Sequence, residues 1–333
     1  MGDHAPQRGR RWAIMLKMAP SDETRERSPP HGFELSAADE RLLRAPIPAP
    51  ALEWAAAAVG PGARVREARA LAGGTSSAVH ELSVDDAGGH RHELVLRRFV
   101  RLDWLAEVPD LAEREATALR LLEAGRLPTP RLVAVDPNGA AAGVPAVLMT
   151  RLPGQVVWDP PVVEEFLRAL AEPLPAVHAT TIAAGTSVPE YRPYRLEMHR
   201  APAWASRPEV WVRAIDVVEG PAPEGDRAFI HRDYHPGNVL WLAGQVSGLV
   251  DWVNASIGSP WADVGHCRVN IASELGQEAA ERFLALYRTA SGRNDEYHPY
   301  WDISAAIGGL DESADEQPSQ SDENFLATAV ARL

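Results

Sequence analysis

The sequence predicts an α+β protein of two lobes, a β-rich N-terminal lobe with one inserted helix and a mainly helical C-terminal lobe. Three observations carry this expectation. The chain has 333 residues, about twice a typical domain of roughly 100 to 200 residues. From Val65 to Leu152, short β-branched or alternating apolar runs are punctuated by Gly, Asp and Pro turns, the pattern of consecutive strands. Beyond residue 152 the pattern lengthens into helical stretches with apolar residues three and four apart.

Taken in order, residues 1–32 set Arg8, Arg10, Arg11, Arg25 and Arg27 among Pro20, Pro29 and Pro30 without an apolar period. A mobile tail with no assigned function is expected there, and Met15 and Met18 stand as alternative starts. Residues 33–64 read as leading helices: one runs from the cap Ser36 to Arg44 and another from Ala51 to Val59, separated by Pro46, Pro48 and Pro50 and stopped by Gly60-Pro61-Gly62. Val65 to Leu71, Ala78 to Val84 and Glu93 to Phe99 follow as three sequential antiparallel strands, joined by Gly73-Gly74 and by Asp85 to Gly89. The inserted helix is Leu111 to Ala124, with Leu111, Glu115, Ala118, Leu119 and Leu122 on one face and Gly125 at its end. Two more strands, Leu132 to Asp136 and Pro145 to Leu152, flank the turn Pro137-Asn138-Gly139. The lobes meet near residue 152, before helices over Val162 to Val177 and Ser273 to Ala290, an acidic loop over Asp311 to Glu323 and a last helix from Phe325 to Leu333.

Composition narrows the function. No apolar run approaches the roughly 20 residues of a membrane span, so no membrane partner is expected. Forty-six acidic against 33 basic residues give a net charge of −13, which opposes capture of nucleic acid. The single cysteine, Cys267, allows no internal disulfide, and no secretion signal opens the chain, so a cytoplasmic location is expected. Apart from Lys17, every basic residue of the Lys/Arg type is arginine, which disfavours any mechanism built on a catalytic lysine.

The chemistry concentrates in Phe229-Ile-His231-Arg-Asp233-Tyr-His235-Pro-Gly-Asn238-Val-Leu-Trp-Leu242, followed by Val246-Ser-Gly-Leu-Val-Asp251-Trp252. An apolar strand leads into a polar loop, and a short hairpin then delivers a second Asp. This selection suits phosphoryl transfer: Asp233 can orient a hydroxyl and accept its proton, while Asn238 and Asp251 are hard oxygen ligands of the kind Mg²⁺ prefers. No Gly-x-Ser-x-Gly elbow supports a hydrolase triad, His231 and His235 lack zinc-site spacing, and Cys267 has no activating neighbours.

The segments H-R-D-Y-H-P-G-N-V-L and L-V-D-W resemble the catalytic loop and metal-binding segment of the aminoglycoside phosphotransferase family, the small-molecule branch of the protein-kinase-like fold. The resemblance runs from about residue 65 to 310. It implies a protein-kinase-like two-lobed fold, with residues 65–152 as the nucleotide-binding lobe and 153–333 as the catalytic and substrate-binding lobe. It also implies that Asp233 is the catalytic base and that Asn238 and Asp251 hold the metal. His235 stands where protein kinases usually carry lysine, and Asp263 in Gly258-Ser-Pro-Trp-Ala-Asp263-Val resembles an acid that braces the catalytic loop.

In the first lobe, Leu71-Ala-Gly73-Gly74-Thr75-Ser76-Ser77-Ala-Val resembles the loop over the nucleotide phosphates, with Ser77 where the family often has Asn. Arg97 occupies the position of the phosphate-positioning lysine. Strand alternation puts Val95 on the same face, where it would roof the adenine, and turns Arg98 elsewhere. Glu115 resembles the helix acid that pairs with this strand residue, and Met149 to Arg151 resemble the hinge that meets the nucleotide base. His178 resembles a helix-ending structural histidine. Tyr297-His-Pro-Tyr300-Trp301-Asp302 suits either a cationic or sugar-like substrate or a packed aromatic cluster capped by Asp302.

The function implied is transfer of the γ-phosphate of ATP or GTP, with Mg²⁺, to a hydroxyl of a small molecule such as an aminoglycoside-type antibiotic. Two alternatives stand beside it. One is a metabolic kinase of choline, homoserine or sugar type; the other is a catalytically silent nucleotide-binding module, motivated by the missing lysine.

Overall fold

A computed structural model of the chain describes residues 36–71, 76–193, 200–202, 204–308 and 320–333. The expected tail, Gly73, Gly74 and Thr75 of the expected phosphate loop, and residues 311–319 of the expected acidic loop lie outside these residues. Among the described residues no helix is long and apolar enough to cross a membrane.

The two leading helices are α1 (Ala37–Leu43) and α2 (Ala49–Val59). The Ser36 hydroxyl accepts the Asp39 N–H at 3.1 Å and so caps α1. Behind α2 lies a five-stranded sheet of β1 (Arg64–Ala70), β2 (Ala78–Asp85), β3 (Arg91–Arg98), β4 (Leu132–Asp136) and β5 (Ala146–Thr150). The strand order is β1-β2-β3-β5-β4 with every neighbouring pair antiparallel. One sheet face packs Leu82, Leu94, Leu96 and Leu148 against Ala51 and Ala55 of α2. Because β3 is central, Arg97 is held in register by Val79 on one side and Val147 on the other, and Val95 by Glu81 and Met149.

Two helices, not one, separate β3 from β4: α3 (Leu102–Glu107) precedes the expected helix, α4 (Leu111–Leu122). A six-residue helix is too short to display an apolar period, and none of its residues is buried. The buried face of α4 includes Leu111, Glu115, Ala118, Leu119 and Leu122.

The C-terminal lobe contains α5 (Val163–Ala171), α6 (Leu174–His178), α7 (Pro208–Glu219), α8 (Pro260–Leu275), α9 (Gln277–Ser291), α10 (Tyr300–Gly308) and α11 (Gln320–Val330). Two short β-pairs accompany them: β6 (Ala228–Ile230) with β9 (Ser256–Gly258), and the hairpin of β7 (Val239–Leu242) with β8 (Gln245–Leu249). The hairpin turns at Ala243 and Gly244, both at positive φ, as a two-residue turn matched to strand twist requires.

Three sequence expectations are corrected here. The helix expected over 162–177 is divided at Pro173, which cannot donate a backbone hydrogen bond to continue α5. The helix expected over 273–290 is the end of α8 joined to α9, with Gly276 between them at φ 94°, a left-handed conformation that interrupts the ladder. The last helix begins at Gln320, so Gln320 to Glu323 is helical rather than loop. The Glu323 carboxylate accepts from Trp211 Nε1 at 2.9 Å and also bonds the Ser206 hydroxyl, fastening α11 to the start of α7.

Nearly every side of α8 is buried, from Pro260 to Ala272, which makes it the axis of the helical lobe. A single apolar cluster joins Leu111, Leu119, Val147 and Met149 of the first lobe to Phe166, Trp241, Val264 and Phe283 of the second. The segment from Phe229 to Leu242 contributes Phe229, Tyr234, Val239 and Trp241 to that same cluster.

Candidate active site

The segment after β6 is held by its backbone. Asp263, in the first turn of α8, accepts the His231 N–H through Oδ2 at 2.9 Å and the Arg232 N–H through Oδ1 at 2.6 Å. Arg232 sits at φ 68°, a conformation that costs a non-glycine residue on the order of 1 to 3 kcal/mol, and the buried carboxylate stabilises it. His178 completes this brace, with Nε2 3.0 Å from Asp263 Oδ2 and Nδ1 3.0 Å from the Tyr287 hydroxyl. Both of its ring nitrogens are thus used inside the fold. Asp263 is a bracing acid and His178 a structural histidine, as their positions in the sequence suggested.

The loop then turns through a short 3₁₀ segment, Pro236–Asn238, capped by His235, whose Nδ1 accepts the Gly237 N–H at 3.2 Å. Asn238 Nδ2 donates to the Asp233 carbonyl at 2.9 Å and lies 3.4 Å from Asp233 Oδ2. Asp233 is fully buried. Its Oδ1 lies 3.0 Å from His266 Nε2 and 3.9 Å from His235 Nε2. Burial pushes the Asp233 carboxyl up, but the neighbouring His266 and the electrostatic influence of the His235, His266 and His231 rings outweigh it, and the group titrates below the usual aspartate range. It is a carboxylate at neutral pH.

The second group bridges the lobes. Arg97 Nη1 lies 2.9 Å from Glu115 Oε1 and 2.6 Å from Asp251 Oδ1, while Nε donates to the Ser77 hydroxyl at 2.7 Å. All four side chains are buried. The β3 register, the inward face of α4 and the end of the β7–β8 hairpin therefore converge on one guanidinium. Burial pushes the Glu115 carboxyl above its usual range; the Arg97 charge opposes this and the Asp251 charge adds to it. Asp251, like Arg232, takes φ 68°. The two groups are stitched together by the Val250 N–H, which donates to the Asn238 carbonyl at 3.0 Å.

This arrangement fits a divalent cation. Asn238 Oδ1 is a buried acceptor without a hydrogen-bond partner, and buried acceptors are normally satisfied. One guanidinium faces two acidic side chains, Glu115 and Asp251. Asn238 and Asp251 together supply hard oxygen donors of the kind Mg²⁺ takes.

The remaining sequence candidates divide. Val95 and Met149 face each other across β3 and β5, beside the main core. Ser76 is half-buried next to Ser77. Arg151 does not join the cluster: its N–H donates to the Glu93 carbonyl at 3.0 Å and its side chain pairs with Glu81 at 2.9 Å. Arg98 faces away from Arg97, toward His80. In the Tyr297 to Asp302 segment, Tyr297 donates to Asp302 at 2.5 Å and Arg268 pairs with Asp302 at 2.9 Å, all three buried as a packed cluster requires, while His298 and Trp301 line a neighbouring cavity.

His266 was missed by the sequence reading, which found no ligand partners for His235. The structure brings the ligand-type atoms of Asp233, His235 and His266 within 4.8 Å of one another. The one local signal is spacing: His266 follows the bracing Asp263 by a single helical turn, which places both on the face of α8 that meets the loop.

A five-stranded antiparallel lobe joined to a helical lobe is the architecture of the protein-kinase-like class, here with an Arg97–Glu115 pair and an Asp/Asn loop at the junction. Within that class the model of the phosphotransferase enzyme family matches residues 67–300, and the chain belongs to this family. The uncharacterized protein YcbJ of Bacillus subtilis (strain 168) is 29% identical over 209 residues, a match spanning 59% of this chain and 61% of that protein. Macrolide 2'-phosphotransferase MphH from Brachybacterium faecium shares the fold with a TM-score of 0.54 at 18% identity, over 84% of this chain and 97% of its own. A thermostable mutant of aminoglycoside phosphotransferase APH(4)-Ia, in ternary complex with AMP-PNP and hygromycin B, gives a TM-score of 0.53 at 17% identity, over 81% and 92% of the two chains. At these identities the likeness is one of fold.

Proposed function

We propose that the protein transfers the γ-phosphate of ATP or GTP to a hydroxyl of a small molecule, with Asp233 as the group that orients the hydroxyl and takes its proton. The observation that carries this reading is the convergence of Asp233, Asn238 and Asp251 with the buried Arg97–Glu115 pair at the junction of the lobes. Residues 65–152 then form the nucleotide lobe, with Val95 and Met149 against the base and Gly73, Gly74, Thr75, Ser76 and Ser77 near the phosphates. Residues 153–333 carry the acceptor. Asn238 Oδ1 and the Asp251 carboxylate would hold Mg²⁺, which supplies charge neutralisation on the transferring phosphate when bound. Arg97 keeps Asp251 and Glu115 in place. Catalysis on this reading is placement plus charge stabilisation.

Hydroxylated antibiotics, aminoglycosides foremost, are the proposed acceptors, and antibiotic resistance in the cytoplasm the proposed role. The net charge of −13 suits a cationic acceptor. Solved structures of the same fold include a macrolide phosphotransferase and a hygromycin B complex.

The test is Mg²⁺-dependent phosphate transfer from ATP and GTP to a panel of aminoglycosides, macrolides, amino alcohols and sugars, beside the Asp233→Asn variant. Transfer to one class is expected, falling by about 10²- to 10⁴-fold in the variant while nucleotide affinity stays within about twofold. Equal transfer by the variant would overturn the assignment of Asp233.

A further inference from the structure

The cluster around Asp233 contains a side chain that the transfer reaction as read above leaves unused. His266 Nε2 lies 3.0 Å from Asp233 Oδ1, and His235 Nε2 stands 3.9 Å from the same oxygen. Two chemistries compete for such a set. Two imidazoles and a carboxylate with ligand atoms inside 4.8 Å are a transition-metal site if the nitrogens are bare, and N–H groups that face the carboxylate, His266 at 3.0 Å and His235 at 3.9 Å, if they are protonated.

The tautomer decides between them. His235 Nδ1 accepts the Gly237 N–H at 3.2 Å, so in the neutral ring the proton sits on Nε2. A protonated Nε2 has no lone pair for a metal, and at 3.9 Å from Asp233 Oδ1 it lies beyond hydrogen-bond reach. His266 Nε2 stands 3.0 Å from the carboxylate oxygen, within donor range, with its N–H turned off the line to Oδ1.

We propose that His266 is a positioning residue for phosphoryl transfer: its Nε2–H anchors Asp233 Oδ1, so that Oδ2 is the oxygen presented to the acceptor hydroxyl. This rests on the reading of Asp233 as the group that takes the acceptor's proton. A carboxylate free to turn about its Cβ–Cγ bond offers either oxygen over a range of angles. Pinned through Oδ1, it offers one oxygen at one angle, and alignment of this kind is where transfer gains most. Oδ2 accepts only a long hydrogen bond from Asn238 Nδ2 at 3.4 Å, which leaves it a lone pair for the acceptor hydroxyl. In the step itself the acceptor oxygen bonds to the γ-phosphorus as its proton passes to Oδ2. The bond from the γ-phosphorus to the bridging oxygen breaks, and the nucleoside diphosphate leaves with that electron pair.

The full-length protein, ¹⁵N-labelled at histidine, tests the contact without nucleotide or acceptor. The His266 Nε2–H proton is expected downfield and slow to exchange, and Asp233→Ala should remove both properties. Hydrolysis of MgATP and MgGTP, with water as the acceptor, tests the role. His266→Ala should lower kcat about 10- to 100-fold with the nucleotide KM within about twofold. His266→Gln, whose side-chain amide N–H reaches the same place, should recover most of that loss; 11% of the His266 side chain is exposed, so the edge of the site accommodates the exchange. A glutamine variant no better than the alanine one, an Nε2–H signal indifferent to Asp233→Ala, or stoichiometric Zn²⁺ binding that removes the His235 and His266 N–H signals together would each overturn the proposal. Failure of the underlying reading is separately visible: Asp233→Asn would then keep its kcat whatever His266 does.

Discussion

Arg97 replaces a point charge with a planar fork, and two of its three nitrogens are engaged: Nε serves Ser77, Nη1 serves both Glu115 and Asp251, and Nη2 is buried without a hydrogen-bond partner. A lysine at this position has one ammonium and no donor at the height of Nε. Arg97→Lys is therefore expected to leave the Ser77 hydroxyl without its charged donor and to cost roughly 1 to 3 kcal/mol in urea denaturation. It should also lower phosphate transfer. A rise in transfer on this substitution would instead mark arginine as the residue that silences the site. Asp233, Asn238 and Asp251 were readable in the sequence because the loop and the hairpin keep them close along the chain. His266 was not, because it reaches Asp233 from a helix that begins beyond the hairpin, and one helical turn from Asp263 is its only local mark.

At the level of elements, the β2–β3 turn offers a clean electrostatic probe. Asp86 Oδ1 accepts the Gly88 N–H at 2.8 Å and the His90 N–H at 2.9 Å, and Oδ2 lies 3.2 Å from His92 Nε2. The backbone bond from His90 first, and then His92, hold its carboxyl at about 2, down from 3.8. A pKa depressed by folding contributes stability that is complete above the unfolded value and is lost as pH falls toward the folded one. The melting temperature of Asp86→Asn should accordingly trail the parent at about pH 6, and the gap should close between about pH 4 and pH 2. A gap independent of pH would mean the charge plays no part in the turn. The strands around this turn were legible because alternation and Asp/Gly turns are local signals. The breaks at Pro173 and Gly276 were carried by single residues inside otherwise helical patterns, where propensity alone does not locate the end.

At the level of the molecule, the lobes share both an apolar core and a buried ion pair. Leu119, Val147 and Met149 belong to the same cluster as Trp241, Val264 and Phe283, and Arg97 reaches Asp251 from a strand 154 residues earlier. Neither lobe can unfold without exposing the apolar face of the other. Calorimetry should therefore show one cooperative transition, raised by Mg²⁺ with ATP or GTP in proportion to the logarithm of ligand concentration. Two resolved transitions would mean that the shared core does not couple the lobes.

The sequence by itself determined the two-lobed α+β plan, the loop that carries Asp233 and Asn238, the hairpin that delivers Asp251, and the face of β3 that holds Arg97, because each depends on residues within a few positions of one another. Only the tertiary structure decided that Arg97 spans Glu115 and Asp251 at once, that Arg151 spends its amide on Glu93, that Tyr297 and Asp302 close around Arg268, and that His266 meets Asp233. Those four depend on which surfaces pack together, and packing is settled by the whole core rather than by any stretch of the chain.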